Sequence, residues 1–565
     1  MTSIAWATAV DGAFDDTAGW SGGVAPGAGD RAILGFVGTT HYTVTAAMDT
    51  TIGSLRMAAT ATLAITGGVF TINGSVSNSG LITVGASGAE LRFSGATMLT
   101  GGGQIALADS KTSYINTLNQ AAAELTNVDE TISGAGQLAG RGFFLTNQAG
   151  GLVDATGDHA LIVKGTADST NAGLMEGTGK AGLTLKKTTM DNGASGVLSA
   201  GDGSKVRLRG AVIAGGTLES TGTGKFVVRG VVNGAGENVL DGGVSTVTNQ
   251  AIVSVIKGAA LTLRGAIDNG GQIRLARPGG ASDLFIGDGG ATLSGAGQIT
   301  LSHADRILGA SAGATLTNAG NTIAGAGQLG AGQMTLVNQA GGVIDANAAL
   351  ALVIDTGAAV ITNAGTIEAS GVGDGRVMSA VDNTGTLMVA GGRLAFVGAV
   401  TGAGSAVIGE GTLEFDSSFT EDVAFTGASG VLQLGQSQGY AGKISGFSGG
   451  MSLDLRDIGF TDAGEATFAG DATSGVLTVT DGTHTAHITL TGDYTGASFV
   501  ASSDGHGGVS IADTSAAVVA APLHALVAAM AAMPAASAAT APVANDAHAP
   551  SWRPMLAVAG HAHFA

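Results

Sequence analysis

Cysteine is absent from the 565 residues, and proline (7), tryptophan (3) and tyrosine (4) are scarce. Without cysteine there is no disulfide framework and no thiolate metal site. Charged residues are only 12% of the chain, far below the usual share of a soluble domain. The 24 basic residues are outnumbered by 43 acidic ones, giving a net charge of −19. Phosphate binding needs clustered Lys and Arg, so neither nucleic acid nor an anionic membrane surface is an expected partner. The opening Met1-Thr-Ser-Ile-Ala-Trp6 has no basic region and no apolar run, so no cleaved secretion signal is expected there. Long hydrophobic runs are missing except Ala516 to Met533, which contains Pro522 and His524. That length barely spans a bilayer, and the segment reads as the start of an Ala/Pro-rich tail over 515–565 rather than a transmembrane helix.

Glycine, by contrast, occurs 97 times, and the hydrophobic fraction is 44% with a mean hydropathy of +0.35. That hydropathy argues against disorder, and the scarcity of proline excludes collagen. A long all-β chain of small residues and turns remains. The segment Leu125-Thr-Asn-Val-Asp-Glu-Thr-Ile-Ser-Gly-Ala-Gly-Gln-Leu138 returns as Leu316-Thr-Asn-Ala-Gly-Asn-Thr-Ile-Ala-Gly-Ala-Gly-Gln-Leu329. This internal duplication covers about 93–200 and 287–390. Inside it lies a shorter unit, marked by Asn127, Asn147, Asn171, Asn318, Asn338, Asn363 and Asn383. Neighbouring asparagines stand about 20–25 residues apart, the length of one coil of a parallel β-solenoid (β-helix).

Apolar runs such as Leu81-Ile-Thr-Val84 and Leu387-Met-Val389 are too short for helices and suit one side of a coil. Glycine supplies positive φ at corners, and asparagine is taken as the next-best corner residue. Stacked asparagines also share amide hydrogen bonds in β ladders. Residues 61–430 are expected to form the solenoid, roughly 15–18 coils in a rod of about 75–90 Å. Residues 1–60 read as an N-terminal cap and first strands, and 431–514 as a C-terminal β module.

A solenoid must cover its unpaired end strands. Trp6, Phe14 and Trp20 cluster near the start, and read as cap aromatics, with sugar stacking as the alternative. The pattern Trp20, Gly22-Gly23, Pro26-Gly27 and Asp30 before a strand resembles the opening of β-strand-repeat surface proteins and autotransporter-like passengers. At the other end, residues 432–511 run from Leu432-Gln-Leu434 through Gly475–Gly492 to Asp504-Gly-His-Gly-Gly508. In order and spacing this resembles a module of large alphaproteobacterial surface proteins, adhesin-like and β-strand-repeat in kind. The resemblance implies a location and an export route, namely type I-like secretion without an N-terminal signal, and no particular activity.

Candidate chemistry is sparse. His484 and His487 are three apart, on opposite faces if both lie on a strand. Asp504 and His506 read as a turn. Gly446-Phe-Ser448-Gly-Gly450 has the letters of a nucleophile elbow but no helix to follow it. Asp202 and Asp288 sit in Asp-Gly turns that invite calcium, yet tandem Gly-Gly-x-Gly-x-Asp repeats are missing, so no cofactor is expected. Asp154 and Asp345 are repeat-equivalent, which suits repeated structure better than one active site.

The expectation is a non-enzymatic, self-associating solenoid of the cell surface or extracellular matrix: a fibre, layer or adhesive stalk. A polysaccharide lyase or hydrolase and a glycan-binding adhesin are the alternatives, since fold alone does not decide function.

Overall fold

The computed structural model describes residues 1–514 except 37, 87, 118–122, 140–142, 166–167, 231–236 and 276–279. The Ala/Pro-rich tail at 515–565 lies outside the described residues. The described residues are 56% strand and 1% helix, wound as a parallel β-solenoid of about 18 turns.

Each coil has three sides, and each strand pairs in parallel with the strand three sides earlier. Tyr42–Ala46, Ala61–Ile65 and Leu81–Val84 belong to the first face, which Gly12–Ala13 opens. Ser54–Met57 and Val76–Asn78 belong to the second, and Thr50–Ile52, Val69–Ile72 and Glu90–Phe93 to the third. Alternation decides which residues point inward: Tyr42–Ala46 is buried at its first, third and fifth residues. In-register pairing then piles equivalent aliphatics on one another. Leu63, Ile82, Ile105, Ile132 and Val153 form one such column on the first face, all fully buried. Phe70, Leu91, Ile115 and Leu138 form its counterpart on the third. Each rung contributes about 1.5–3 kcal/mol through burial.

The two duplicated copies do not share a face. Asn127 and Asn147 stand on the second face. Tracing the first-face ladder from Leu174–Gly177 through Leu183–Ala200, Lys205–Ser220, Asn238–Asn249, Ala260–Asn269 and Asp283–Ser294 leads to Thr315–Asn318. The duplicated unit thus holds a whole number of coils plus one face, and the second copy is turned by one face about the axis. The intervening coils contain the longest strands, Leu183–Ala200 (18 residues) and Lys205–Ser220 (16 residues), which pass corners without a break.

At the C-terminal end the parallel pairing persists through Lys443–Ser445 and Met451–Leu455. The direction then reverses. Val509–Asp513 lies antiparallel on Met451–Leu455, while Ala466–Gly470, Ser474–Thr480 and Thr485–Thr491 form an antiparallel meander. Its last strand caps Lys443–Ser445.

Candidate functional site

Every asparagine marked by the repeat is buried, at 0–1% exposure. Asn127, Asn147 and Asn171 end their strands, at the entrance to a corner. The only non-glycine residues with positive φ among those described are Lys187 and Ala331. The positive φ expected of these asparagines is therefore corrected, whereas the amide hydrogen bonds expected of stacked asparagines are present: each strand-end amide turns inward and bonds along the axis. Asn127 Nδ2 donates to Asn147 Oδ1 (2.9 Å), Asn147 to Asn171 (2.8 Å) and Asn171 to Asn192 (3.0 Å). The second copy repeats this from Asn318 to Asn338 (2.9 Å), Asn363 (2.8 Å) and Asn383 (2.7 Å). The Oδ1 atoms also bind the turning backbone, as where Glu130 N donates to Asn127 Oδ1 and Asn321 N to Asn318 Oδ1. Each amide thus satisfies a corner that would otherwise bury unpaired groups.

Two carboxyl groups join these columns. Asn78 Nδ2 donates to Glu130 Oε2 (2.8 Å) and Asn383 Nδ2 to Glu421 Oε2 (2.7 Å). Glu130 is fully buried, and its Oε1 and that of Glu421 have no hydrogen-bond partner. Burial pushes Glu130 up to about 7 against the opposing Asn78 hydrogen bond, and pushes Glu421 up as well. Neither residue was singled out from the sequence. The alignment of Glu130 with Asn321 in the duplication is the signal that marks it.

Trp6, Phe14 and Trp20 form the N-terminal plug, at 3, 2 and 2% exposure. Trp20 meets Trp6 edge-on at 5.0 Å and Phe14 at 4.9 Å, and Phe14 packs on Phe70 at 5.1 Å. Trp6 Nε1 donates to Val10 O and Trp20 Nε1 to Phe14 O. With their faces covered, these rings offer no platform for stacking a sugar. The other end has its own aromatic pile: Phe415 stacks on Phe396 at 5.2 Å and on Phe419 at 3.6 Å.

The polar candidates are dispersed. His484 belongs to a turn, its Nδ1 3.0 Å from Asp481 Oδ2, whereas His487 lies on Thr485–Thr491 with its Nδ1 3.2 Å from Thr478 Oγ1. The expected arrangement on one strand is corrected, since the tight turn ends after His484. Asp504 to Gly508 does connect two strands, and the Asp504 carboxylate accepts from His506 N and Gly508 N. Ser448 N and Oγ lie 3.3 and 3.9 Å from Met451 Sδ. Asp202 Oδ1 accepts from Thr223 N and Oγ1, and Asp288 Oδ1 from Ser311 Oγ, tying adjacent coils. Among the described residues no three His, Asp or Glu side chains are grouped to hold a metal ion, and no helix is long and apolar enough to cross a membrane.

Asp154 pairs in register with Glu176, and Asp345 with Glu368, one acidic couple per copy. Burial, and then the neighbouring aspartate, raises both glutamates. A second polar cluster ties the last coils: Glu414, 1% exposed, accepts from Arg393 Nε (2.6 Å) and pairs with Arg456 Nη1 (2.8 Å). A shallow groove of about 570 Å³, lined by His41, Thr62, Gly80, Gly103, Gln104 and Thr131 among others, opens beside the Asn78–Glu130 bond.

No protein-family model matches this chain, and no curated protein sequence matches it.

Proposed function

We propose that this chain is an exported, non-enzymatic structural protein of the cell surface or extracellular matrix, a stiff rod that associates with copies of itself. The observation that carries this reading is the unbroken parallel ladder, knit by asparagine columns and aliphatic stacks, with its chemistry-bearing side chains dispersed along it. The resemblance of residues 432–511 to alphaproteobacterial surface modules supports export. Association in this reading runs through the sides of the rod. Val509–Asp513 already covers Met451–Leu455, and the Trp6–Trp20 bridge covers the first coil.

Electron microscopy of the purified full chain tests it. Rods of about 85 Å, from about 18 turns at roughly 4.8 Å each, lying side by side in bundles or sheets, are expected. Compact particles, or rods that stay single at every concentration, would overturn it.

The in-register Asp154–Glu176 couple favours a second reading, a glycan-acting enzyme with carboxylates on adjacent coils. Release of reducing or unsaturated ends from uronate-rich or neutral glycans, lost in Glu176→Gln, would establish it. No release from any of them would dismiss it.

A further inference from the structure

The net charge of −19 conceals a strong local exception. Nine of the 24 basic residues fall between positions 164 and 229, against five acidic ones. The fold converts this sequence concentration into a line. Lys164 pairs in register with Lys186, Lys186 with Arg209, and Arg209 with Arg229, on four consecutive rungs of the third face. Lys205 and Lys225 form a shorter parallel row nearby. Lys164, Arg209 and Arg229 are exposed and Lys186 is half-buried. None of the four takes part in an ion pair among the described residues; the paired cations are Arg92, Arg264, Arg306, Arg393, Arg456 and two histidines.

Stacking like charges about 4.8 Å apart is unfavourable, and the protein keeps four in succession without a counter-charge. Arg207, on the same strand as Arg209, feels the crowding: burial, then Arg229 and Arg209, push its pKa down. An occupant carrying regularly spaced negative charge would relieve this repulsion.

We propose that the Lys164–Lys186–Arg209–Arg229 row is a binding track for a linear acidic polysaccharide, running along the rod axis with one carboxylate or sulfate per coil. Three features favour this occupant. The row is straight and about 14 Å long, and its rung spacing is close to the length of one pyranose in an extended chain. The outward positions of its strands carry no aromatic ring, so unpaired bases would find nothing to stack on. A second copy offers no matching acidic track, because the strand registers bring at most two carboxylates into succession, at Asp154–Glu176 and Asp345–Glu368. The choice of a polysaccharide over other polyanions rests on the extracellular reading above, whereas the site itself rests on the register.

The test uses the purified full chain with polygalacturonate as probe, neutral dextran as blank, and duplex DNA and phosphatidylserine vesicles as rival polyanions. Polygalacturonate binding that weakens steadily as salt rises is expected. Lys164→Gln/Lys186→Gln/Arg209→Gln/Arg229→Gln should lose about tenfold or more in affinity, with an unchanged circular dichroism spectrum. Arg56→Gln/Lys111→Gln/Arg376→Gln/Lys443→Gln, which removes the same charge elsewhere, should keep most of it. Equal loss in both variants, no binding at low salt, or tighter binding of DNA or vesicles would each overturn the proposal. Binding by a protein that remains inside its cell would sink the export reading and leave the track standing. Exported rods that ignore polygalacturonate would do the reverse.

Discussion

Asn78 and Glu130 are joined by a buried 2.8 Å hydrogen bond from amide to carboxyl, and the second copy makes the same link from Asn269 to Asn321 at 2.5 Å. The duplication therefore extends back to Asn78 and Asn269, further than the sequence repeat alone discloses. It also isolates one chemical difference: a single position is a carboxyl in one copy and an amide in the other.

That difference predicts a pH dependence. Glu130 has its folded pKa raised from 4.5 to about 7. A raised carboxyl binds its proton more tightly in the folded state, so its contribution is fully present below the unfolded value. It is lost as pH rises through the window from 4.5 to about 7. Glu130→Gln, which mimics the protonated form, should raise stability at pH 8 by roughly 2–3 kcal/mol and leave pH 4 nearly unchanged. Denaturant melts of both proteins across this range check it; equal pH slopes would refute the assignment.

The middle of a column should be the most sensitive part of the coil. Asn147 accepts from Asn127 and donates to Asn171 and to Gly151 O. Asn147→Ala leaves Asn127 Nδ2 with Glu130 O as its remaining acceptor and Asn171 Oδ1 without its donor, at a cost of about 2–3 kcal/mol. Nearest-neighbour coupling makes the loss local. Amide exchange should accelerate in the coils around 127–171 while those around 318–383 keep their protection.

The coil length was legible because an asparagine gap is one turn: Asn127 to Asn147 spans 20 residues and Asn147 to Asn171 spans 24. The three-sided section was not, because a four-residue run such as Leu81–Val84 fixes inside and outside but not which face it belongs to. The rotation between copies follows only from tracing every register. The basic row was hidden for a related reason. Its members are each one coil apart in sequence, and a net charge sums over positions that only winding brings together. His484 was misplaced because a strand pattern of alternating Thr continues through the letters of the turn that Asp481 closes.

The N-terminal plug gives a prediction that separates structure from recognition. Trp20 fills the space between Trp6 and Phe14. Trp20→Ala should cost about 3–5 kcal/mol and expose the first coils to limited proteolysis, cutting before Leu63 and sparing later coils. An intact N-terminus under protease would show that the plug is dispensable.

Glycine at strand ends is required for two distinct reasons, and Gly325 combines them. Its φ is 122°, and a Cβ there would run into Leu301 O of the preceding coil. Gly134, its duplicate, has φ 108° and meets Leu107 O in the same way. The close approach lets adjacent coils keep their hydrogen-bond spacing at a corner where the backbone leaves the strand. Gly325→Ala must adopt a strained conformation and push two coils apart, for a loss of about 1–3 kcal/mol from backbone strain alone. Gly313 has open space around its Cβ position and no positive φ, so Gly313→Ala should be neutral or stabilise by up to about 1 kcal/mol. Thermal melts of the two variants side by side decide the point. Equal midpoints would mean that the coil tolerates a side chain at this corner, and that neither the positive φ nor the close approach requires glycine there.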